Sequence, residues 1–158
     1  MEKNFERGIN RLHRYQEYLC IDKGYYICSR NQIDVKNIVD TEDNDYFDFS
    51  APNHYWKGID YQTEKCREYL SSSQGYIYTI STIVSDDDEK FLMCYAGDGY
   101  YRIWLNGVLL TDFPYTKNDE DGSIVKLEKG NNILICELDI KKSTFFKKLK
   151  VNLYRYES

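Results

Sequence analysis

The stretch YYRIWLNG, which begins at Tyr100, has the residue types best suited to ligand binding. Successive side chains of a strand point to opposite faces, so Tyr100, Arg102 and Trp104 share one face and the residues between them form an apolar stripe. Aromatic rings stack on the apolar faces of sugar rings, and an Arg side chain donates several hydrogen bonds in one plane. The mixture predicts a ligand-binding face. The alternative is that these three side chains pack beneath the first 70 residues, with Arg102 paired to an acid.

A second aromatic group lies upstream. His54, Tyr55 and Trp56 are adjacent in a segment that Pro52 and Gly58 keep from regular structure. We take these three aromatic residues as a second candidate ligand-binding patch.

Motifs for catalysis and metal binding are missing from the sequence. Neither the nucleophile elbow G-x-S-x-G nor the phosphate-binding loop G-x-x-x-x-G-K-[ST] occurs, and the two histidines lack zinc-site spacing. The acidic run at 40–48 lacks the residue order of an EF-hand loop. We therefore expect no cofactor, with a structural calcium ion as the alternative. Two acids can still converge in a fold, so a carboxylate-dependent enzyme remains a third hypothesis behind non-catalytic roles.

Charge and apolar content restrict the partners and the location. The 21 basic and 26 acidic residues give a formal charge of −5, which argues against nucleic acid or an anionic membrane as the partner. No apolar run reaches the roughly 18 residues of a membrane span. The N-terminal residues contain no apolar run typical of a signal peptide. We expect a cytoplasmic protein if the chain is complete, whereas the location of a fragment stays open.

The cysteine pattern agrees with a reducing compartment. Five cysteines form no C-x-x-C pair, and an odd number does not suit a disulfide framework. Cys94 and Cys136 lie in apolar strands, where cysteine behaves as a small apolar residue. The sequence therefore predicts buried thiols.

The length of 158 residues suits one structural domain with two parts. Residues 1–70 are predicted to form an N-terminal helix and an extended segment, with a short helix or irregular stretch near 61–70, all packed on the remainder. Apolar side chains close to one helical face predict the first helix: Phe5, Ile9, Leu12 and Leu19.

Residues 71–158 are predicted to form the core of an antiparallel β-sandwich. Roughly seven strand-like stretches, rich in β-branched and aromatic residues, are separated by turns. Gly97-Asp98-Gly99 is interpreted as one of these turns. Asn106-Gly107 predicts a tight type I′ hairpin turn, because both of its central residues need a positive φ.

Two motifs in this half resemble the galactose-binding-like jelly-roll domains of carbohydrate-active and other enzymes. One is the apolar strand that ends in Asn106-Gly107, and the other is Leu127-x-x-Gly130-x-Asn132 before an apolar strand. The resemblance covers about residues 76–156 and implies a mainly β, antiparallel jelly-roll β-sandwich. Similar domains often bind glycans, some carry a structural calcium, and many are spacers or docking surfaces in larger enzymes. The shared motifs contain no binding residue, so no ligand contact can be transferred.

The sequence therefore favours a non-catalytic accessory or recognition module of a larger protein or complex. Carbohydrate is the expected ligand, bound by aromatic stacking at either candidate patch. The alternative is a structural or protein-docking domain without a small-molecule site, whose partner is another protein domain.

Overall fold

The computed structural model describes residues 15–38, 45–48, 58–61, 66–115, 120–143 and 148–156, and the following statements concern that part of the chain. It contains one α-helix, α1 (Arg67–Ser72), one 3-10 turn (Val35–Asn37), and these strands: β1 (Tyr15–Cys20), β2 (Lys23–Ser29), β3 (Asp45–Asp48), β4 (Ile59–Asp60), β5 (Tyr76–Ser85), β6 (Glu89–Leu105), β7 (Val108–Tyr115), β8 (Glu120–Leu127), β9 (Gly130–Asp139) and β10 (Lys148–Tyr156). No described helix is long and apolar enough to cross a membrane.

The strands pair antiparallel in two layers. The first sheet has the order β1-β10-β6-β8, with β4 also beside β10. The second sheet has the order β3-β2-β5-β9-β6-β7. The predicted fold class, a mainly β antiparallel sandwich, is confirmed.

Strand β6 belongs to both sheets. Residues 89–98 pair with β8 and β10, and residues 99–105 pair with β7 and β9. The predicted turn at Gly97-Asp98-Gly99 is therefore wrong, because the backbone continues through it as one strand. A side chain at Gly97 would collide with the carbonyl oxygen of Lys148, and Gly99 has a φ of 131°. These glycines permit close strand approach and a local bend where β6 passes between the sheets.

The main apolar core fills the space between the sheets. Tyr101, Ile103 and Leu105 are at most 5% exposed, which confirms the predicted apolar stripe of β6. Buried residues from the first half of β6, from other strands and from the segments that adjoin them complete the cluster: Ile21, Tyr26, Ile59, Tyr61, Cys66, Ile77, Ile83, Phe91, Met93, Tyr95, Val125, Leu127, Leu134, Cys136, Leu138, Ile140, Leu149, Val151 and Leu153.

The predicted N-terminal helix is wrong at its C-terminal end. Tyr15–Cys20 is strand β1, which pairs with β10, and Leu19 packs against the core from that strand. The apolar residues of this segment have helical spacing, but the segment forms a strand because its backbone pairs with β10. The rest of that predicted helix, with Phe5, Ile9 and Leu12, lies outside the described residues. The short helix expected near 61–70 is present in part as α1.

The two motif asparagines are bonded directly to each other. Asn106 and Gly107 have φ values of 49° and 80°, which confirms the predicted positive-φ turn. Asn106 Nδ2 donates to Asn132 Oδ1 at 2.9 Å, and Asn132 Nδ2 donates to the carbonyl oxygen of Glu128 at 2.8 Å. Since the Asn132 side chain is fully buried, it ties the β6–β7 turn to the β8–β9 turn.

We predict that Asn132→Ala lowers the free energy of unfolding by about 2–3 kcal/mol, because it leaves buried peptide groups without partners. The matched control is Asn131→Ala at the exposed neighbouring position, which should change stability by less than about 0.5 kcal/mol. Urea unfolding measures both variants. Equal effects would show that the network contributes nothing particular to stability.

Burial also raises the pKa of several phenols and one thiol. The pKa values of Tyr61, Tyr78, Tyr95 and Tyr101 lie above the ordinary tyrosine value, and burial raises the pKa of Cys136 to about 12. The unfolded chain therefore releases these protons at lower pH than the folded chain does. The resulting stability is complete below the unfolded pKa values, about 8.5 for Cys and 10 for Tyr, and is lost as the pH rises above them.

We predict that the free energy of unfolding falls from about pH 9 upward and falls more steeply above about pH 10. Each group contributes about 1.4 kcal/mol per pH unit once its unfolded form is ionised. Urea unfolding between pH 7 and pH 11 measures this slope. Cys136→Ala should remove roughly half of the decline between pH 9 and 10, because the four unfolded tyrosines also begin to ionise there. A stability that stays flat to pH 11 would contradict the expectation.

Candidate functional site

The outer face of the second sheet carries Arg102 and Trp104 in two neighbouring cross-strand rows. Tyr78 of β5, Glu137 of β9 and Arg102 of β6 are register partners and form a polar row. The next row is apolar and contains Ile80, Ile135 and Trp104. Facing residues on antiparallel strands have Cβ atoms about 5 Å apart, so the sheet itself brings each row together.

The carboxylate of Glu137 is the centre of the polar row. Arg102 Nε donates to Oε1 and Arg102 Nη2 donates to Oε2, each at 2.7 Å. The Tyr78 hydroxyl donates to Oε2, also at 2.7 Å. Glu137 is 2% exposed and Arg102 is 26% exposed, so the acid is buried beneath a partly accessible cation. A two-point, charge-assisted contact of this kind fixes the plane of the guanidinium.

Tyr78 remains a hydrogen-bond donor over the physiological pH range. Burial raises the pKa of its hydroxyl, and the adjacent Glu137 carboxylate raises it further. The protonated phenol therefore donates to the carboxylate and also accepts from the backbone N–H of Ile33 at 2.7 Å.

Trp104 is 7% exposed and packs in a small apolar cluster with Tyr78, Ile80 and Ile135. Arg102 Cζ lies 4.8 Å from the centre of its ring, a cation–π distance. One face of the indole is thus occupied by a side chain of the protein. The geometry here follows the packing alternative, in which the aromatic ring is covered and Arg102 is paired with an acid.

Residues 30–38, called the strap, cover this outer face. The sequence predicts an extended segment in this part of the chain. Strand β2 confirms that prediction as far as Ser29, whereas the strap contains the 3-10 turn instead. Asp34 Oδ1 accepts from the backbone N–H of Lys36 at 3.0 Å and so caps that turn. The apolar side chains of the strap pack on the indole cluster: Ile33, Val35 and Ile38.

A cleft of about 450 Å³ lies between the strap and the β6–β7 hairpin. Strap residues 32–36 line one side, and Arg102, Trp104 and Gly107 line the other. We call it the first cleft. The side chains of Gln32, Asp34 and Lys36 are exposed. The cleft therefore combines a fixed guanidinium, the edge of an indole, and polar groups of both charges.

Tyr100 does not line the first cleft and has its own contacts. Lys142 Nζ is 4.7 Å from the centre of the Tyr100 ring. The backbone N–H of Tyr100 donates to Ser143 Oγ at 2.9 Å. Lys142 belongs to a second cleft, also of about 450 Å³, which is lined mainly by polar and charged residues: Arg30, Gln74, Tyr76, Asp139, Lys141 and Lys142. The structure thus brings Arg102 and Trp104 together in the first cleft, which Tyr100 does not line.

The other candidate residues, His54, Tyr55 and Trp56, lie outside the described part of the chain, and their role stays a prediction. Within the described ranges, no three acidic, histidine or cysteine side chains cluster closely enough to hold a metal ion. A carboxylate-dependent enzyme would need two acids in one cleft. Among the described residues, Asp34 alone lines the first cleft as an acid, and Asp139 alone lines the second.

Sequence reasoning missed the residues that position Arg102. Glu137 is the one charged residue within the apolar stretch ILICEL, and that isolation was a usable signal for a buried ion pair. The contribution of Tyr78 had no such signal, because tyrosine also suits an ordinary half-buried strand position. Only the strand order places both side chains beside Arg102.

Comparison with solved structures identifies the fold. No protein-family model matches the chain, and no curated protein matches it in sequence. A β-glucuronidase from an uncultured Clostridium sp. superimposes with a TM-score of 0.51 at 14% identity, covering 91% of this chain and 29% of that one. A family 35 carbohydrate-binding module from an environmental isolate gives a TM-score of 0.46 at 12% identity, covering 89% of this chain and 93% of that one. A β-glucosidase from Kluyveromyces marxianus gives 0.42 at 12% identity, covering 53% of this chain and 11% of that one.

The fold is a galactose-binding-like jelly-roll β-sandwich. This confirms the resemblance carried by Asn106-Gly107 and by Leu127, Gly130 and Asn132. At such low sequence identity the likeness extends to the fold alone, because one fold hosts many functions.

We predict that Glu137→Gln lowers the free energy of unfolding by about 2 kcal/mol, because it leaves a largely desolvated guanidinium without its carboxylate. The matched control is Glu89→Gln, which removes the acid of the exposed pair between Arg155 Nη2 and Glu89 Oε2, 3.1 Å apart. Exposed pairs contribute little, so this change should cost less than about 1 kcal/mol. Urea unfolding measures both, and equal small losses would contradict a structural role for Glu137.

Proposed function

We propose that this chain is a non-catalytic recognition module of a larger protein and that it binds carbohydrate in the first cleft. The supporting observation is that a guanidinium held by two hydrogen bonds, an indole edge and the polar strap residues meet along one open cleft of about 450 Å³. A cleft of this volume, with a few converging polar groups, is large enough for a small ligand.

The polar contacts to the sugar come from both sides of the cleft. Arg102 and Lys36 supply hydrogen-bond donors, and the carboxylate of Asp34 supplies acceptors, a combination that suits neighbouring hydroxyl groups. Because Glu137 already fixes the guanidinium, binding costs little side-chain entropy at Arg102. The indole of Trp104, being 7% exposed, acts as the apolar floor of the cleft rather than as an open stacking platform.

The accessory role is supported by the similar fold in a glycosidase. The chain spans 29% of the length of the β-glucuronidase on which it superimposes. A sandwich of this kind would hold or orient a polymeric substrate while another domain performs the chemistry.

We predict saturable binding of one or more sugars when the full chain is screened on a glycan array and then titrated by calorimetry. Lys36→Ala should weaken that binding by at least about tenfold, because a lost hydrogen bond to a charged or polar group is worth roughly 1.5 kcal/mol. The Lys36 side chain is exposed, so the melting temperature should not change.

Three control variants locate the site. Lys126→Ala, exposed on the first sheet, should leave the affinity unchanged, and so should Lys141→Ala in the second cleft. Loss of binding in Lys141→Ala or in Trp56→Ala, with Lys36→Ala unaffected, would exclude the first cleft as the site.

A protein-docking domain is the second candidate function. Val84, Val108 and Leu109 are 62%, 64% and 46% exposed, and Leu109 is the register partner of Trp104 beside the first cleft. Exposed apolar side chains at the end of a sheet suit contact with another protein domain. Absence of glycan binding by correctly folded wild-type protein would favour this function over the first.

A further inference from the structure

Two of the five thiols lie next to each other. Cys28 Sγ and Cys66 Sγ are 3.6 Å apart, although the residues are separated by 38 positions in sequence. Cys28 is on β2 and is half-buried, and Cys66, directly before α1, is 1% exposed. Neither cysteine is in a disulfide in this structure.

We propose that Cys28 and Cys66 are a site of covalent oxidation, at which a small disulfide such as oxidised glutathione converts the two thiols into one intramolecular disulfide. The partly exposed Cys28 thiolate attacks a sulfur of the oxidant and releases one glutathione thiolate. The Cys66 sulfur then attacks Cys28 Sγ and releases the second glutathione. The two protein thiols lose two electrons and two protons, and one oxidised glutathione becomes two reduced molecules.

The surrounding structure supports this bond. A disulfide needs sulfurs about 2 Å apart, so the pair must approach by roughly 1.5 Å, a distance that side-chain rotation supplies. The backbone on each side is held: Cys28 pairs with Ile77 in the second sheet, and Tyr69 and Leu70 anchor α1 on the core. The two sulfurs therefore stay close, which gives the second step a high effective concentration.

The remaining cysteines provide internal controls. Cys20 and Cys94 are the register partners of Asn152 on its two sides, so their backbones are two strand spacings apart, about 9–10 Å. Two cysteines at that separation cannot form a disulfide without backbone movement. Cys136 is 1% exposed in the core, and burial raises the pKa of its thiol, which keeps it protonated and unreactive.

The bond would also constrain the strap. The sequence between Cys28 and Cys66 includes residues 30–38, so the disulfide closes a loop that contains one wall of the first cleft. Closing a loop of this length reduces the entropy of the unfolded chain. The melting temperature of the oxidised form should therefore rise by about 5–10 °C.

The test incubates the reduced full chain in glutathione buffers of graded ratio, blocks remaining thiols by alkylation, and maps peptides without reduction. We expect a peptide linking Cys28 to Cys66, three alkylated thiols, and the rise in melting temperature. A native protein in which Cys28 retains glutathione while Cys66 is alkylated would overturn the proposal. So would a protein in which both thiols stay alkylated in fully oxidised glutathione.

Variants separate the pair from the other thiols. Cys66→Ala should stop at a glutathione adduct on Cys28, with no rise in melting temperature. Should Cys66→Ala fail to fold, Cys28→Ala at the half-buried position should likewise abolish the linked peptide and the rise in melting temperature. Cys20→Ala should form the linked peptide as wild type does, and its failure to do so would assign the reactivity to a different pair.

Discussion

The outer face of the second sheet depends on one buried carboxylate. Glu137 can be accommodated there because Arg102 and Tyr78 donate to it from the two neighbouring strands, each bond 2.7 Å long. Gln32 Nε2 of the strap adds a longer contact of 3.4 Å to each carboxylate oxygen. The same row fastens the strap, since the backbone N–H of Ile33 donates to the Tyr78 hydroxyl. An ion pair of this kind adds little net stability relative to apolar residues of similar size, but breaking it is costly. This row of side chains therefore holds the Arg102 guanidinium in place and also holds the strap, which is one wall of the first cleft.

Strand β6 positions Arg102 and Trp104 on the outer face of the second sheet. Its first half completes one sheet and its second half completes the other, so the inward and outward faces of residues 99–105 are set by the sandwich as a whole. The bonded pair of Asn106 and Asn132 then holds the hairpin end of β6 against the β8–β9 turn. Gly107, at the tip of that hairpin, is also part of the cleft.

The sequence predicted the sandwich, the positive-φ turn and the inward stripe of β6, because alternation and turn chemistry are local. It could not predict that Gly97 and Gly99 continue a strand, since that depends on pairing with β10 at Gly97 and with β7 at Gly99. Leu19 fell on a helical pattern, yet pairing with β10 made its segment a strand. Of the first candidate patch, Arg102 and Trp104 meet in one cleft and Tyr100 lies beside Lys142, whereas ligand binding by these residues stays a prediction. Which acid pairs with Arg102 depends on strand order.

The most direct test of the account is an NMR titration of the full chain with a panel of soluble mono- and disaccharides, monitoring backbone amides and the two indole N–H signals. The chain has two tryptophans, so Trp56→Phe assigns both indole signals. The account predicts saturable shifts at the Trp104 indole and the Ile33 amide, with the Tyr100 amide unchanged. Shifts confined to the Trp56 indole, or to Tyr100, would contradict it, as would no shift with any sugar.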